Sequence, residues 1–186
     1  MKAFLSLFLV AFAVMITAPL ASAQINFTVD AGAAVPTGDL EDFADTGFAL
    51  DFTVGVPVTE SLLIVGGSGY HKWSSKEFLI LGEVFDIEAS VIPVRIGIQK
   101  YWGASKRFYT SPMLGAYIPG DDIDDLDTRF GFGGRVGYQF PVADSADLDI
   151  GVSLHSITTD DGNVFTDGDA IRYVVISGGL VFGKRR

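Results

Sequence analysis

Two histidines and the serines near them are the residues of this chain whose types could support catalysis. His71 and His155 are its only histidines, and Ser68, Ser74 and Ser156 lie within a few positions of them. A serine nucleophile, a histidine base and an aspartate would suit a hydrolase or acyltransferase, but such triads are recognised by geometry. The sequence also lacks a Gly-x-Ser-x-Gly motif. We therefore predict that the protein is not an enzyme, and we expect both histidines to be polar residues at the rim of the fold.

Two acidic segments are the next candidates, because carboxylate oxygens are the ligands that Ca²⁺ prefers. One segment contains Asp121, Asp122, Asp124, Asp125 and Asp127, and the other contains Asp160, Asp161, Asp167 and Asp169. Neither has the spacing of an EF-hand loop. A solvated charged surface is the common form of such runs. We assign no metal site and no cofactor, and we expect these loops to attract divalent cations that also bridge anionic lipid head groups.

Composition excludes several functional classes. Cysteine is absent, which excludes disulfides, thiol chemistry and lipid attachment through cysteine. The chain has 13 basic and 23 acidic residues, for a net charge of −10. Nucleic acid is therefore not expected as a partner, because binding it depends on Lys and Arg that neutralise phosphates.

The amino-terminal segment, residues 1–23, has the organisation of a secretory signal peptide. Lys2 supplies the positive charge, residues 3–17 are apolar, and Ala21-Ser22-Ala23 resembles a cleavage site. An uncleaved membrane helix is the alternative, since about 18 apolar residues can span a bilayer. Pro19 and the small-residue end favour cleavage. Residues 24–186 then form one domain.

The rest of the chain alternates between apolar residues and small or polar ones with a period of two. The clearest run is 130–140, where Phe130, Phe132, Val136, Tyr138 and Phe140 alternate with glycine, arginine and glutamine. This period is typical of a β-strand. Eight strands are predicted at about 25–35, 48–56, 62–70, 84–101, 107–118, 129–140, 148–155 and 171–182.

Three of these strands are less regular than the others. The third and fifth strands carry apolar residues on both faces, so the sequence does not show which of their faces points outward. The fourth changes phase near Pro93. Because proline lacks an N–H and a bulge shifts the register, we expect a β-bulge at that position.

The residue types on the two strand faces predict a membrane barrel. One face is apolar, and the other is mostly Gly, Ala, Ser and Thr with few charges. A barrel in lipid turns its apolar face outward, and in hydrocarbon only helices and closed barrels satisfy every backbone group. Connections after odd-numbered strands are long and those after even-numbered strands are short, as in outer-membrane barrels. We therefore expect both chain ends in the periplasm.

Aromatic residues cluster near the predicted strand ends, where interfacial girdles occur in membrane barrels. We expect a girdle formed by Phe43, Phe48, Tyr70, Trp73, Tyr101, Trp102, Phe108, Tyr109, Tyr117, Tyr138, Phe140, Tyr173 and Phe182. Packing in the core of a soluble β-protein is the alternative for these residues.

Charged residues on the small-residue face must point into the barrel. They are Asp30, Asp51, Glu88, Arg95, Arg129, Arg135 and Asp149. An interior of eight strands is only wide enough for side chains, and buried charges are stable only when paired and hydrogen-bonded. A polar plug is therefore favoured over a narrow ion-conducting path.

Three segments carry a resemblance to a known family. They are the run from Ala34 to Asp39, the run from Ile92 to Ile98, and the last strand from Tyr173 to Phe182. The chain resembles the small outer-membrane β-barrel family, the eight-stranded OmpX- and OmpA-like class. The resemblance implies an all-β, antiparallel up-and-down barrel in a Gram-negative outer membrane. It also implies lipids, lipopolysaccharide and the barrel assembly machinery as partners. One departure is that four residues follow Phe182, where the family usually ends on an aromatic residue.

The expected function is a structural or surface-interaction role for a monomeric, exported barrel. It is porin-like in architecture but not a general porin, because an aqueous channel needs about sixteen strands. The alternative is a periplasmic lipocalin-like barrel, whose apolar face would surround an apolar ligand.

Overall fold

The computed structural model describes residues 25–42, 44–74, 78–80, 83–85, 89–120, 128–158 and 170–183. Within these ranges there are ten strands: β1 (Asn26–Thr37), β2 (Gly47–Thr59), β3 (Leu62–Trp73), β4 (Phe78–Ile80), β5 (Glu83–Phe85), β6 (Ala89–Trp102), β7 (Phe108–Pro119), β8 (Arg129–Ala143), β9 (Ala146–Ile157) and β10 (Ile171–Phe182). A short 3₁₀ helix, Gly38–Asp42, follows β1. The described residues include no helix with the length and apolar character needed to cross a membrane.

Eight of these strands form one closed antiparallel barrel in the order β1-β10-β9-β8-β7-β6-β3-β2. The barrel closes where β1 pairs with β10, from Phe27 opposite Phe182 to Thr37 opposite Arg172. Closure removes the free edges that a sheet would otherwise present. Because each strand pairs on both sides, the barrel meets the backbone hydrogen-bonding requirement of a hydrocarbon environment.

The connections alternate in length, as the sequence predicts. Short turns join β2 to β3 at residues 60–61, β6 to β7 at residues 103–107 and β8 to β9 at residues 144–145. The β6–β7 turn contains Gly103 with φ 73°, a left-handed conformation that glycine adopts without steric cost. The longer connections leave the barrel at its other end, after Thr37, Trp73, Pro119 and Ile157. We call these two ends the short-turn end and the long-loop end.

The prediction for the fourth strand is wrong in two respects. The strand begins at Ala89, and residues 83–85 instead pair with residues 78–80 in a separate two-stranded hairpin. There is also no bulge at Pro93. Val94 lies opposite Ser68 and Val91 opposite His71, which is the same register on both sides of the proline. The apparent change of phase arises because the sequence pattern joins a loop hairpin to a barrel strand.

Large apolar side chains cover the outer surface of the barrel. The predicted facing is confirmed for β1, β2, β8, β9 and β10, whose outward residues include Phe27, Phe52, Val136, Val152 and Ile176. The outer face of β3 carries Ile64 and Tyr70, whereas Leu63 and Val65 are buried inside. Because both faces carry apolar residues, the sequence alone does not show which face of β3 points outward. An apolar exterior is the reverse of what a lipocalin-like barrel in water requires.

Candidate functional site

The interior of the barrel contains five of the seven charged residues that the sequence predicts there. Asp30, Asp51, Arg95, Arg135 and Asp149 all point inward and are largely buried. Arg129 lies half-buried at the start of β8, and Glu88 is outside the described residues. The five inward charges belong to two hydrogen-bonded networks. The lower network lies toward the short-turn end, and the upper network lies toward the long-loop end.

The lower network is centred on Arg135 of β8. Its Nη2 donates to Asp149 Oδ1 at 2.5 Å and to Asp30 Oδ1 at 3.2 Å. Its Nη1 donates to Ser177 Oγ at 2.7 Å and to Ser153 Oγ at 3.3 Å. Its Nε donates to the hydroxyl of Tyr109 at 2.7 Å, and that hydroxyl in turn donates to Asp149 Oδ1 at 2.9 Å. One guanidinium therefore connects β8 to β1, β7, β9 and β10.

Glycines make room for the large side chains of this network. A Cβ at position 151 would lie 2.8 Å from the guanidinium carbon of Arg135. A Cβ at position 137 would lie 2.5 Å from the Tyr109 ring. Both distances are shorter than any tolerable carbon contact, so the close approach of Arg135 and Tyr109 to the barrel wall depends on glycine at these two positions.

The short-turn side of the lower network is closed by tyrosine, glutamine and apolar residues. Gln99 Nε2 donates to the hydroxyl of Tyr101 at 2.7 Å, and that hydroxyl donates to Gln139 Oε1 at 3.1 Å. Leu63, Val65 and Tyr109 pack against Tyr101. Side chains thus fill the cross-section at this end, as expected for a barrel of eight strands.

The upper network joins Arg95 to two histidines and an aspartate. Arg95 Nη2 forms a short ion pair with Asp51 Oδ1, and Arg95 Nη1 lies 3.5 Å from His155 Nε2. Asp51 Oδ2 is 3.2 Å from His71 Nε2. The remaining ring nitrogens contact tyrosine hydroxyls: His71 Nδ1 lies 2.9 Å from Tyr173, and His155 Nδ1 lies 3.0 Å from Tyr117.

Aromatic stacking packs the same region. The rings of His155 and Tyr173 are parallel within 2°, with centroids 4.5 Å apart. Trp73 meets Tyr173 edge-on at 4.8 Å, and its Nε1 donates to the backbone oxygen of Ala34 at 3.1 Å. His71 lies 5.3 Å from His155. The stacked rings fix the positions of the polar groups at the long-loop end.

The structure corrects two expectations about these residues. Both histidines are buried inside the barrel, with 0% and 1% of their surface exposed, and are not at a solvated rim. Their hydrogen bonds go to tyrosine, aspartate and arginine, so the described residues do not assemble a serine–histidine pair.

The aromatic girdle is also only partly as predicted. The residues that face outward are Phe48, Tyr70, Trp102, Phe108, Tyr138, Phe140 and Phe182. Five others are buried inside: Trp73, Tyr101, Tyr109, Tyr117 and Tyr173. Phe43 lies outside the described residues. A buried tyrosine usually finds a partner for its hydroxyl, and four of these five are tyrosines held in polar networks.

Sequence reasoning missed these inward tyrosines, although their position in the strand carried a signal. In β7, Tyr109 and Tyr117 share parity with Ser111 and Gly115. Small residues mark the inner face on the other strands. The same parity would have predicted that these tyrosines face the interior.

A salt bridge connects two of the short turns. Lys106 Nζ lies 2.6 Å from Glu60 Oε2, and both side chains are solvent-exposed. The hydrogen bond and positive charge of Lys106 hold the pKa of the Glu60 carboxyl below its usual value. Nearby, Trp102 Nε1 donates to Thr110 Oγ1 at 3.0 Å on the outer surface.

The acidic segments at 121–127 and 160–169 lie outside the described residues apart from their flanks. Among the side chains that the structure does describe, no three His, Asp or Glu residues are grouped to hold a metal ion. The predicted attraction of divalent cations to these loops remains a prediction.

No family model matches the sequence, and no curated protein matches it. Solved structures do match its fold. Neisserial surface protein A is similar with a TM-score of 0.57 and 17% identity, over 85% of this chain and 96% of that one. OprG from Pseudomonas aeruginosa is similar with a TM-score of 0.51 and 13% identity, over 87% of this chain and 96% of that one. Ail from Yersinia pestis in a nanodisc has a TM-score of 0.50 and 13% identity, over 87% and 100%.

These matches and the barrel geometry define the class of protein. The chain has the fold of a small, eight-stranded outer-membrane β-barrel, and the resemblance predicted from the sequence is confirmed at the level of the fold. The apolar outer face and polar interior agree with burial in lipid. The fold and the apolar outer surface are those of a barrel that is embedded in lipid.

Proposed function

We propose that the protein is a structural or surface-interaction component of the outer membrane whose interior is plugged by its own side chains. The observation that carries this proposal is the Arg135 guanidinium. It donates to residues on four other strands and lies across the lower half of the interior. A barrel stabilised in this way resists deformation and leaves little space for solute.

An ion-conducting path is the competing function. Against it stand the apolar and aromatic clusters at both ends of the interior, around Tyr173 and around Tyr101. An ion that crossed the barrel would have to displace these side chains and exchange partners with both arginines. The packing of the described interior therefore supports the plug over such a path.

The test is a pair of measurements on residues 24–186 refolded into lipid. Planar-bilayer recordings of the wild type should show no steady conductance at pH 7.5. Arg95→Ala should lower the urea concentration needed for unfolding, because the buried carboxylate of Asp51 loses its cation. Arg172→Ala, at an exposed and outward position, is the matched control. Raised conductance of Arg95→Ala with unchanged stability would contradict the plug.

We further propose that the chain is exported by residues 1–23 and assembled by the barrel assembly machinery as a monomer. The closed barrel supports a monomer because it leaves no strand edge for a partner. The long-loop end would face outward, where acidic loops contact lipopolysaccharide and divalent cations. A melting temperature that millimolar Ca²⁺ does not change would remove the cation part of this proposal.

A further inference from the structure

The two histidines of the upper network face opposite charges. His71 Nε2 lies 3.2 Å from a carboxylate oxygen of Asp51, whereas His155 Nε2 lies 3.5 Å from Nη1 of Arg95. The rings are only 5.3 Å apart and equally buried. Because of this difference in neighbouring charge, an added proton on His155 would place a positive charge directly against a cation.

On His155 a second proton has no acceptor. Arginine has donors and no acceptor, so Nε2 of His155 must present its lone pair to Arg95. The proton therefore resides on Nδ1, which faces the hydroxyl of Tyr117. Protonation of Nε2 would direct an N–H at a guanidinium and place two positive groups in contact in a dry interior.

His71 differs from His155 in its neighbours. Its Nε2 donates to the carboxylate of Asp51, and its Nδ1 faces the hydroxyl of Tyr173. Neither contact involves a cation, which makes His71 the matched comparison for His155.

The other strands supply no compensating anion to His155. The groups near it are Asp51 on β2, His71 on β3, Arg95 on β6, Tyr117 on β7 and Tyr173 on β10, and Arg135 on β8 adds a second positive charge. The nearest inward residues of β1 and β8 are alanine and glycine. Asp51, the carboxylate of this network, is already bonded to Arg95 and His71.

We propose that the contact between His155 and Arg95 is an acid-sensitive lock on the long-loop end of the interior. Protonation of His155 drives Arg95 away from its position beside Asp51, loosens the aromatic stack on Tyr173 and opens the upper half of the barrel. This inference rests on the plugged interior proposed above.

The direction of the pH effect follows from proton linkage. A neutral His155 ring is the form that fits the contact with Arg95, whereas in the unfolded chain a histidine takes up a proton below about pH 6.5. Below that pH the unfolded state binds more protons, so stability falls as the pH falls. At pH 5.0 one such histidine favours unfolding by about 30-fold relative to pH 7.5.

The experiment compares urea unfolding of three proteins in lipid vesicles at pH 7.5 and 5.0. Between pH 7.5 and pH 5.0, the folding equilibrium constant of the wild type should fall by about 30-fold more than that of His155→Gln. The glutamine side chain keeps an acceptor for Arg95 and a donor for Tyr117. His71→Gln is the matched control. Because it retains His155, it should show the same pH-dependent loss in folding equilibrium constant as the wild type. The carboxylates of the barrel contribute the same pH dependence in all three proteins and therefore cancel in the comparison. An identical pH dependence in wild type and His155→Gln would overturn the proposal.

Two further measurements separate this proposal from the one on which it rests. Steady wild-type conductance at pH 7.5 would contradict the plug, whereas a non-conducting barrel whose unfolding has the same pH dependence in the wild type and in His155→Gln would contradict the lock alone. If His155→Gln does not fold, the proposal can be tested in the wild type by following the NMR chemical shifts of the histidine rings as the pH is lowered. The lock predicts that the His155 ring keeps its neutral chemical shift until the barrel opens, and a reversible titration in the closed barrel would contradict it.

Discussion

The two halves of the barrel interior stabilise their buried charges with different sets of partners. In the lower network one permanent cation, Arg135, is bonded to two carboxylates and three hydroxyls. In the upper network the cation Arg95 is bonded to one carboxylate, Asp51, and lies beside the imidazole of His155. The comparison indicates that the lower cation is held by more hydrogen bonds, and from more strands, than the upper one.

The largest expected effect comes from removal of the lower cation. Arg135→Met should reduce the free energy of unfolding by about 3–5 kcal/mol, because the buried carboxylates of Asp30 and Asp149 lose their cation. Urea unfolding in vesicles measures this, with Arg172→Met as the exposed control. A loss below about 1 kcal/mol, the range of an exposed pair, would mean that the two halves do not differ as described.

A smaller loss is expected in the upper network. Asp51→Asn keeps the shape of the side chain but removes the charge that pairs with Arg95 and His71. Because the amide oxygen can still accept from one of them, we expect a loss of about 2–3 kcal/mol. The same unfolding measurement at pH 7.5 tests this. A loss equal to or greater than that of Arg135→Met would reverse the order of the two networks.

Packing beneath the lower cation gives the third effect. Gly151→Ala should cost about 1–2 kcal/mol, since the added methyl group meets the Arg135 guanidinium. Gly134→Ala is the matched control, because a Cβ there has no neighbour nearer than 3.7 Å. Unfolding midpoints of the two variants should therefore differ, and equal midpoints would show that Arg135 does not depend on the space above Gly151.

The smallest effect lies outside both networks. Lys106→Met should return the pKa of Glu60 toward its ordinary value, because the lysine lowers it through a hydrogen bond and its charge. A lowered carboxyl pKa stabilises the fold above its unfolded value, and that contribution is lost as the pH falls through the folded value. An NMR titration of Glu60 follows this shift. An unchanged titration in Lys106→Met would contradict the salt bridge, and stability itself should hardly change.

The sequence predicts most of the barrel, since period-two alternation and loop lengths are local properties of the chain. It identifies eight strands, the outward face of β8 and β10 and the inward position of Arg135 and Asp30. It does not predict that β4 and β5 form a separate hairpin, because the strand pattern continues across the intervening residues.

The interior site is harder to predict. Tyrosine has an apolar ring and a polar hydroxyl, so residues such as Tyr109 and Tyr173 suit an interfacial girdle and a polar core equally well. Which partner His71 or His155 meets depends on strands far apart in the sequence. His71 contacts Tyr173, 102 positions away, and no local pattern contains that pairing.

The central claim is that the apolar outer face contacts lipid while the polar face is enclosed, and site-directed fluorescence tests it directly. The absence of cysteine allows one label at Val152→Cys, in the outward belt of β9, and another at Asp144→Cys, in an exposed short turn. We predict that spin-labelled acyl chains quench the probe at 152 and aqueous iodide does not, with the reverse at 144. Quenching at 152 by iodide and not by lipid would contradict the account.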